Sequence, residues 1–144
     1  MKRGKLWLAL VLIGMALIVA GCGGGSDSAS EEASGPATVY EVEGSDVSRV
    51  ELTEQAVERL DIQTAAVEQD GKGMVIPYSA VLYSPTGETW AYVSPAPLSF
   101  VREEIVVDRI EGDQAFLTKG PKPGTKVATV GVAELYGAES GLGQ

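Results

Sequence analysis

Clusters of glycine, proline, serine and aspartate divide the chain after Thr38 into short segments, at intervals of about 8–12 residues. Between these clusters apolar and polar residues alternate, as in Val39–Glu43 and Ser48–Leu52, which is typical of half-buried strands. Ser84-Pro85-Thr86-Gly87 has the residue types favoured in a type I turn and predicts a hairpin. The sequence therefore predicts a mainly β domain, a small antiparallel barrel or sandwich of about six to eight short strands.

One short helix is expected among these strands. Thr53 is a good N-cap, Glu54 suits the first helical turn, and three apolar residues share one face: Ala56, Val57 and Leu60. This pattern predicts a helix at about 54–60. A closing helical turn is expected where Val132, Leu135 and Tyr136 line one side. We expect the β domain to span residues 38–137 and a loose tail to follow at 138–144.

The first 22 residues form a different kind of segment. Three basic residues, Lys2, Arg3 and Lys5, precede an apolar stretch from Leu6 to Val19 that only Gly14 interrupts. This stretch is short for a membrane-spanning helix, and small residues follow it, as in a cleaved signal peptide. Val19-Ala20-Gly21-Cys22 resembles the lipobox of bacterial lipoproteins.

This resemblance implies that residues 1–21 are a signal peptide, with cleavage after Gly21. Cys22, the only cysteine, would then carry a thioether-linked diacylglycerol and an amide-linked fatty acid such as palmitate. The implied location is the extracytoplasmic face of the cell membrane. An ordinary secretory signal with a stray cysteine, or an uncleaved anchor, are the alternatives. Residues 22–37 are rich in glycine, serine and acidic residues, which predicts a disordered tether about 20 Å in root-mean-square length.

Composition excludes several classes of function. All 20 acidic residues follow Cys22, whereas three of the 11 basic residues precede it, so the predicted mature chain has a formal charge of −12. Such a chain has no basic stripe for nucleic acid. It has no histidine and no second cysteine, which removes the common catalytic triads and the usual zinc and copper ligands. We therefore expect no enzyme activity, no metal and no cofactor beyond the lipid on Cys22.

Two local patterns have plain structural explanations. Glu103 and Glu104 are neighbours on a predicted strand and should point to opposite faces, so they cannot bind one ion together. Gly120-Pro121-Lys122-Pro123-Gly124 lacks the Gly-Lys pair of a phosphate-binding loop, and its prolines lack backbone donors. We expect a rigid turn there.

The aromatic residues leave two alternatives open. Trp90 and Tyr92 should project from one face of their strand, with Tyr83 and Val81 as cross-strand neighbours. This group forms either a face for a ligand or partner, or part of the core, since aromatic side chains bury large areas.

The order of four segments resembles the membrane-proximal part of periplasmic adaptor subunits, also called membrane fusion proteins, of efflux systems. The first, Val50–Val67, is similar to their initial strand–helix–strand segment. The others are Val75-Ile76-Pro77-Tyr78-Ser79-Ala80-Val81, the hairpin strands from Trp90 to Asp113, and the closing turn and strand Gly120–Gly131. Pro121 and Thr125 stand where that family usually has leucine and aspartate.

Full adaptors carry a coiled-coil hairpin and a lipoyl-like domain between the first two segments, but here Val67 and Met74 are close in sequence. The resemblance implies an accessory lipoprotein that binds a membrane exporter and takes part in transmembrane transport. A binding module for a small molecule or a cell-envelope component is the alternative. A third possibility is an adaptor fragment without a role in transport.

Overall fold

The computed structural model describes residues 35–71 and 73–142; the predicted signal peptide, Cys22 and most of the predicted tether lie outside these residues. Within these residues there are ten strands: β1 (Ala37–Glu41), β2 (Ser48–Leu52), β3 (Gln63–Ala66), β4 (Glu68–Asp70), β5 (Gly73–Pro77), β6 (Leu82–Tyr83), β7 (Thr89–Ala96), β8 (Ser99–Glu111), β9 (Gln114–Lys119) and β10 (Lys126–Val130). The helices are α1 (Glu54–Arg59), a 3-10 turn (Tyr78–Ala80) and α2 (Val132–Glu139).

The strands form one nearly closed, antiparallel, barrel-like sheet with the order β3-β10-β7-β8-β9-β5-β4. Strand β8 is 13 residues long, and this length lets it pair with three partners. Its first part pairs with β7 and β2, and its second part pairs with β9. Strand β1 pairs with β2, and the short β6 pairs with β7. The mainly β class expected from the sequence is confirmed.

Hydrophobic side chains pack on both faces of the central strands. On the inner face, Ala91 of β7 and Val127 of β10 belong to a cluster with Ile76, Ile105 and Leu117. The next residues along the same strands, Tyr92 and Ala128, point to the other face because side chains alternate along a strand. There they pack in a second cluster with the following residues of β2, α1, β8 and α2: Val50, Leu52, Ala56, Phe100 and Leu135.

Local sequence signals explain α1 and the predicted hairpin. The Thr53 hydroxyl accepts a hydrogen bond from the Ala56 amide at 3.1 Å, which confirms Thr53 as the N-cap. Between β6 and β7, the Gly87 amide donates to the Ser84 carbonyl at 3.0 Å. The expected turn at Ser84–Gly87 therefore forms.

Three features extend beyond the expectations. The described residues form ten strands rather than six to eight, including the three-residue β4 and the two-residue β6, which is the first strand of the expected hairpin. The closing turn is a complete helix, α2, rather than a single turn. It runs to Glu139, two residues into the segment 138–144 that was expected to be a loose tail, because the Glu139 side chain is held by contacts distant in sequence.

A hairpin stands where the resemblance to adaptors would place an inserted domain. Strands β4 and β5 pair directly, with Asp70 opposite Gly73 at the turn and Glu68 opposite Val75. Strand β5 then continues the sheet by pairing with β9. The described part of the chain therefore closes this connection as a tight β-hairpin.

A side chain at Gly131, the residue before α2, would have to displace the end of the Ile62 side chain. The φ of Gly131 is +83°, and a Cβ atom would overlap Cδ1 of Ile62. Gly131→Ala should therefore lower the free energy of unfolding through overpacking, by about 1–3 kcal/mol, in addition to the backbone strain of an L residue at positive φ.

The matched control is Gly124→Ala, since Gly124 has a φ of +88° with no atom within 4 Å of the added Cβ. Urea unfolding of both variants separates overlap from backbone strain, which both share. Equal losses of stability in the two variants would contradict the proposed overlap with Ile62.

Candidate functional site

A buried carboxylate at the end of α2 joins four elements of the fold. The Glu139 side chain is 6% exposed and accepts a hydrogen bond from the Tyr92 hydroxyl. Its other oxygen, Oε1, accepts from Arg102 Nη2 and from the Ser48 backbone amide, each at 3.1 Å. These donors belong to β7, β8 and the start of β2, so Glu139 fixes the end of α2 against the sheet. We call Tyr92, Arg102 and Glu139 the Glu139 cluster.

The guanidinium of Arg102 covers the aromatic face that the sequence suggested. Its Cζ lies 4.5 Å from the centroid of the Trp90 ring and 5.8 Å from that of Tyr136, in cation–π geometry. Tyr92 is fully buried. Trp90 and Tyr92 thus share one face, as expected, but their partners are side chains of this chain rather than solvent.

Tyr83 does not join Trp90 and Tyr92. The strand register places Leu82 opposite Trp90 and Tyr83 opposite Thr89. The expected neighbours are therefore shifted by one residue, and in a strand a shift of one residue moves a side chain to the opposite face. Tyr83 is 52% exposed. Partial desolvation and a hydrogen bond with Tyr78 raise the pKa of Tyr83.

Burial and hydrogen bonding also act on Tyr92. Desolvation, followed by the hydrogen bond to Glu139, raises the pKa of Tyr92 far above its ordinary value. The phenol therefore remains protonated and donates to the carboxylate throughout the neutral range. This arrangement supplies a donor to a buried anion and leaves no free group for acid–base chemistry in the Glu139 cluster.

The acidic side chains of β8 do not converge on one site. Glu104 forms an ion pair with Lys119, whereas Glu103 lies on the face of Ala91, its partner on β7. Desolvation raises the pKa of Glu103, and the charge of Lys119 partly opposes this effect. Asp108 pairs with Arg109 at 3.3 Å. Among the described residues no group of three or more potential ligands is placed to hold a metal ion.

Strand β1 forms an open edge of the sheet. It pairs with β2 and has no second strand partner among the described residues. Its Val39 and Tyr40 side chains are 36% and 48% exposed, and they point to opposite faces. An edge of this kind offers both unpaired backbone groups and apolar side chains to another chain.

An apolar groove of about 460 Å³ lies beside β1. It runs between β1, the end of α1 and α2, and its apolar lining includes Leu52, Leu60, Leu135, Ala138 and Leu142. Its volume falls within the range of small-molecule sites, about 300–1,000 Å³. Trp90 and Tyr92 do not line the groove, although Leu52 and Leu135 pack with Tyr92 in the second cluster.

Sequence reasoning missed Arg102 and Glu139. Arg102 lies two residues after Phe100 on the same face of β8, so a charged residue occupies a position where alternation predicts a buried one. A charged residue at a position expected to be buried was the signal in the sequence that could have identified Arg102. Glu139 gives no comparable signal, because its partners Tyr92 and Arg102 are 47 and 37 residues away.

The fold and these surfaces define a small β-barrel-like domain with an open edge strand, an apolar groove and a buried charged cluster. Both carboxylate oxygens of Glu139 are hydrogen-bonded, whereas the buried Arg102 Nε and the neighbouring Trp90 Nε1 have no hydrogen-bond partner among the described residues. None of the helices within residues 35–71 and 73–142 is long and apolar enough to cross a membrane. Comparison with known proteins finds no matching protein-family model, no matching curated protein and no matching solved structure.

Glu139→Gln should lower the free energy of unfolding by about 1.5–3 kcal/mol, because the hydrogen bonds of a charged group are replaced by those of a neutral amide. The exposed Glu134 on the same helix provides the control Glu134→Gln, for which a change within about 0.5 kcal/mol is expected. Chemical denaturation measures both. Equal stabilities of the two variants would show that the Glu139 cluster does not stabilise the packing of α2 against the sheet.

Stability should also fall at alkaline pH because of Tyr92. Its pKa is raised in the folded state, so its contribution is complete below the unfolded tyrosine pKa of about 10 and is lost as the pH rises above that value. The difference in unfolding free energy between the natural chain and Tyr92→Phe should therefore shrink above about pH 10. Denaturation curves across the alkaline range test this, and a constant difference would contradict it.

Proposed function

We propose that this protein is an extracytoplasmic lipoprotein, anchored through Cys22, that binds a membrane exporter as an accessory, adaptor-like subunit. The open edge of β1 is the observation that carries this proposal. Its free backbone groups, together with Val39 and Tyr40, suit the addition of a strand from a protein partner. The lipid that the lipobox-like segment implies on Cys22 would hold that edge at the membrane where an exporter lies.

Two further observations favour a protein partner over a small ligand within the barrel. The inner face of the sheet carries aliphatic side chains packed on one another, including Ile76, Ile105 and Leu117. The Trp90 ring, which the sequence offered as a ligand platform, lies under the Arg102 guanidinium. Binding energy for a partner is then best supplied at the exposed surface.

The β4–β5 hairpin bears on the kind of adaptor proposed. Asp70 and Gly73 face each other across the turn, at the position where full adaptors insert their coiled-coil hairpin. In the family that this chain resembles, the coiled-coil hairpin reaches the outer-membrane channel. We therefore assign the protein an accessory role at the exporter rather than a bridge between two membranes.

Crosslinking in cells followed by affinity purification tests this function. The full chain with a C-terminal tag should recover a membrane exporter, and Tyr40→Lys should strongly reduce the recovery because it places a charge on the β1 edge. Tyr83→Lys is the matched variant, since Tyr83 is similarly exposed but lies on β6. Loss of recovery with Tyr83→Lys alone would move the docking surface to Tyr83. Recovery of only cell-envelope polymer or soluble proteins would overturn the proposal.

The apolar groove favours a second candidate function, a lipoprotein that binds an apolar small molecule or a lipid-like cell-envelope component. Leu60, Leu135 and Leu142 line this groove and leave it open to solvent. Saturable binding of a fluorescent fatty acid, abolished by Leu135→Trp in a chain that remains folded, would support this candidate. Absence of saturable binding would remove it.

A further inference from the structure

The connection between β7 and β8 forms an uncharged, exposed tip. We call Ser94–Leu98 the β7–β8 tip; it reads Ser-Pro-Ala-Pro-Leu, and Pro95, Ala96 and Pro97 are exposed. Ala96 pairs with Ser99 across the turn. Leu98 adopts a φ of +65°, a left-handed conformation that is rare for a bulky residue other than glycine. Strain of this kind is retained where the surrounding structure fixes it, and it often marks a functional surface.

The β7–β8 tip has few polar groups that need water. Pro95 and Pro97 have no backbone N–H. The Ala96 carbonyl accepts from the Ser94 hydroxyl at 3.0 Å, and the Leu98 carbonyl accepts from the Leu52 amide at 2.8 Å. Internal pairing of this type lowers the cost of moving a loop into an environment with little water.

The tip lies at the end of the domain where the chain from Cys22 arrives. The Leu52 amide donates to Leu98, and the next amide, that of Thr53, donates to the Pro36 carbonyl at 3.1 Å. Pro36 directly precedes β1. The β7–β8 tip and the connection to the predicted tether are therefore hydrogen-bonded to consecutive residues, Leu52 and Thr53. Only 12 residues, 23–34, separate Cys22 from Gly35.

Charged residues of both signs lie beside the β7–β8 tip. On β2, Glu51 pairs with Ser99 directly after the tip, and Arg49 pairs with Val101 two residues farther along β8. Shallow grooves of about 420 and 450 Å³ flank the tip, and each contains one exposed basic residue, Lys126 in the first and Arg49 in the second. Glu51 also lines the second groove. The acidic turn with Glu43 and Asp46 connects the opposite ends of β1 and β2.

We propose that the β7–β8 tip contacts the lipid surface in which Cys22 is anchored, with Pro95, Ala96, Pro97 and Leu98 at the lipid interface and Arg49 and Lys126 near the headgroups. The proposal rests on the lipid anchor of the proposed function. Contact with lipid would orient the domain and direct the β1 edge consistently toward an exporter. A single lipid anchor on a flexible tether leaves this orientation free, whereas two points of contact restrict it.

A single introduced cysteine provides the test, because Cys22 is the only natural one and would be blocked by lipid. The full lipidated chain with Ala96→Cys carries an environment-sensitive fluorophore and is reconstituted into phosphatidylcholine vesicles with some phosphatidylglycerol. Ser45→Cys, in the exposed β1–β2 turn, is the matched control. We expect nitroxide-labelled lipid to quench the fluorophore at position 96 and iodide in the water to quench it poorly, with the reverse pattern at position 45.

The variant Leu98→Asn, combined with Ala96→Cys, tests the apolar contact and keeps a residue type that suits the backbone at position 98. Asparagine tolerates the left-handed conformation at position 98 but removes the apolar side chain, so quenching by lipid should decrease. Equal exposure of positions 96 and 45 to iodide in protein that floats with the vesicles would overturn the tip proposal and leave the anchor intact. Failure to float would overturn the anchor and the tip proposal together. Shielding that requires membranes containing other proteins would assign the tip to a protein partner instead.

Discussion

Strand β7 is buried on both faces, and the rest of the structure depends on this constraint. Ala91 faces the inner cluster of the barrel-like sheet, while Tyr92 faces the second cluster under α1 and α2. A strand that is apolar on only one face can leave the other to solvent, but β7 cannot. The chain therefore needs additional elements to cover the second face, and the β1–β2 hairpin, α1 and α2 supply them.

The second face also contains the principal charged contact of the fold. Tyr92 is a large residue with a hydroxyl that must be hydrogen-bonded when it is buried, and Glu139 accepts a hydrogen bond from it. The carboxylate in turn requires a cation, which Arg102 provides at 3.1 Å. Removing Tyr92 or Glu139 leaves a buried polar group without its partner, and removing Arg102 leaves the carboxylate without its cation. This requirement gives α2 a defined end and extends the ordered domain to Glu139.

These interactions occupy the interior of the domain, so a partner or ligand would bind at its surface. Packed side chains occupy the inner face and Arg102 covers Trp90, whereas three features of the described residues remain open to a partner or ligand: the β1 edge, the apolar groove and the β7–β8 tip. All three lie near the end of the domain where Pro36 joins β1. Their proximity is consistent with a domain that works close to a membrane, as the lipobox-like segment before Cys22 predicts.

Local sequence determined the β class, the approximate strand boundaries, the N-cap at Thr53 and the turn at Ser84–Gly87, because neighbouring residues decide alternation, capping and turn conformation. The tertiary structure decided the rest. The register that separates Tyr83 from Trp90 is set by packing on both faces of β7, which strand alternation alone does not fix. Glu139 meets Tyr92 across 47 residues, and the closure of the sheet brings them together.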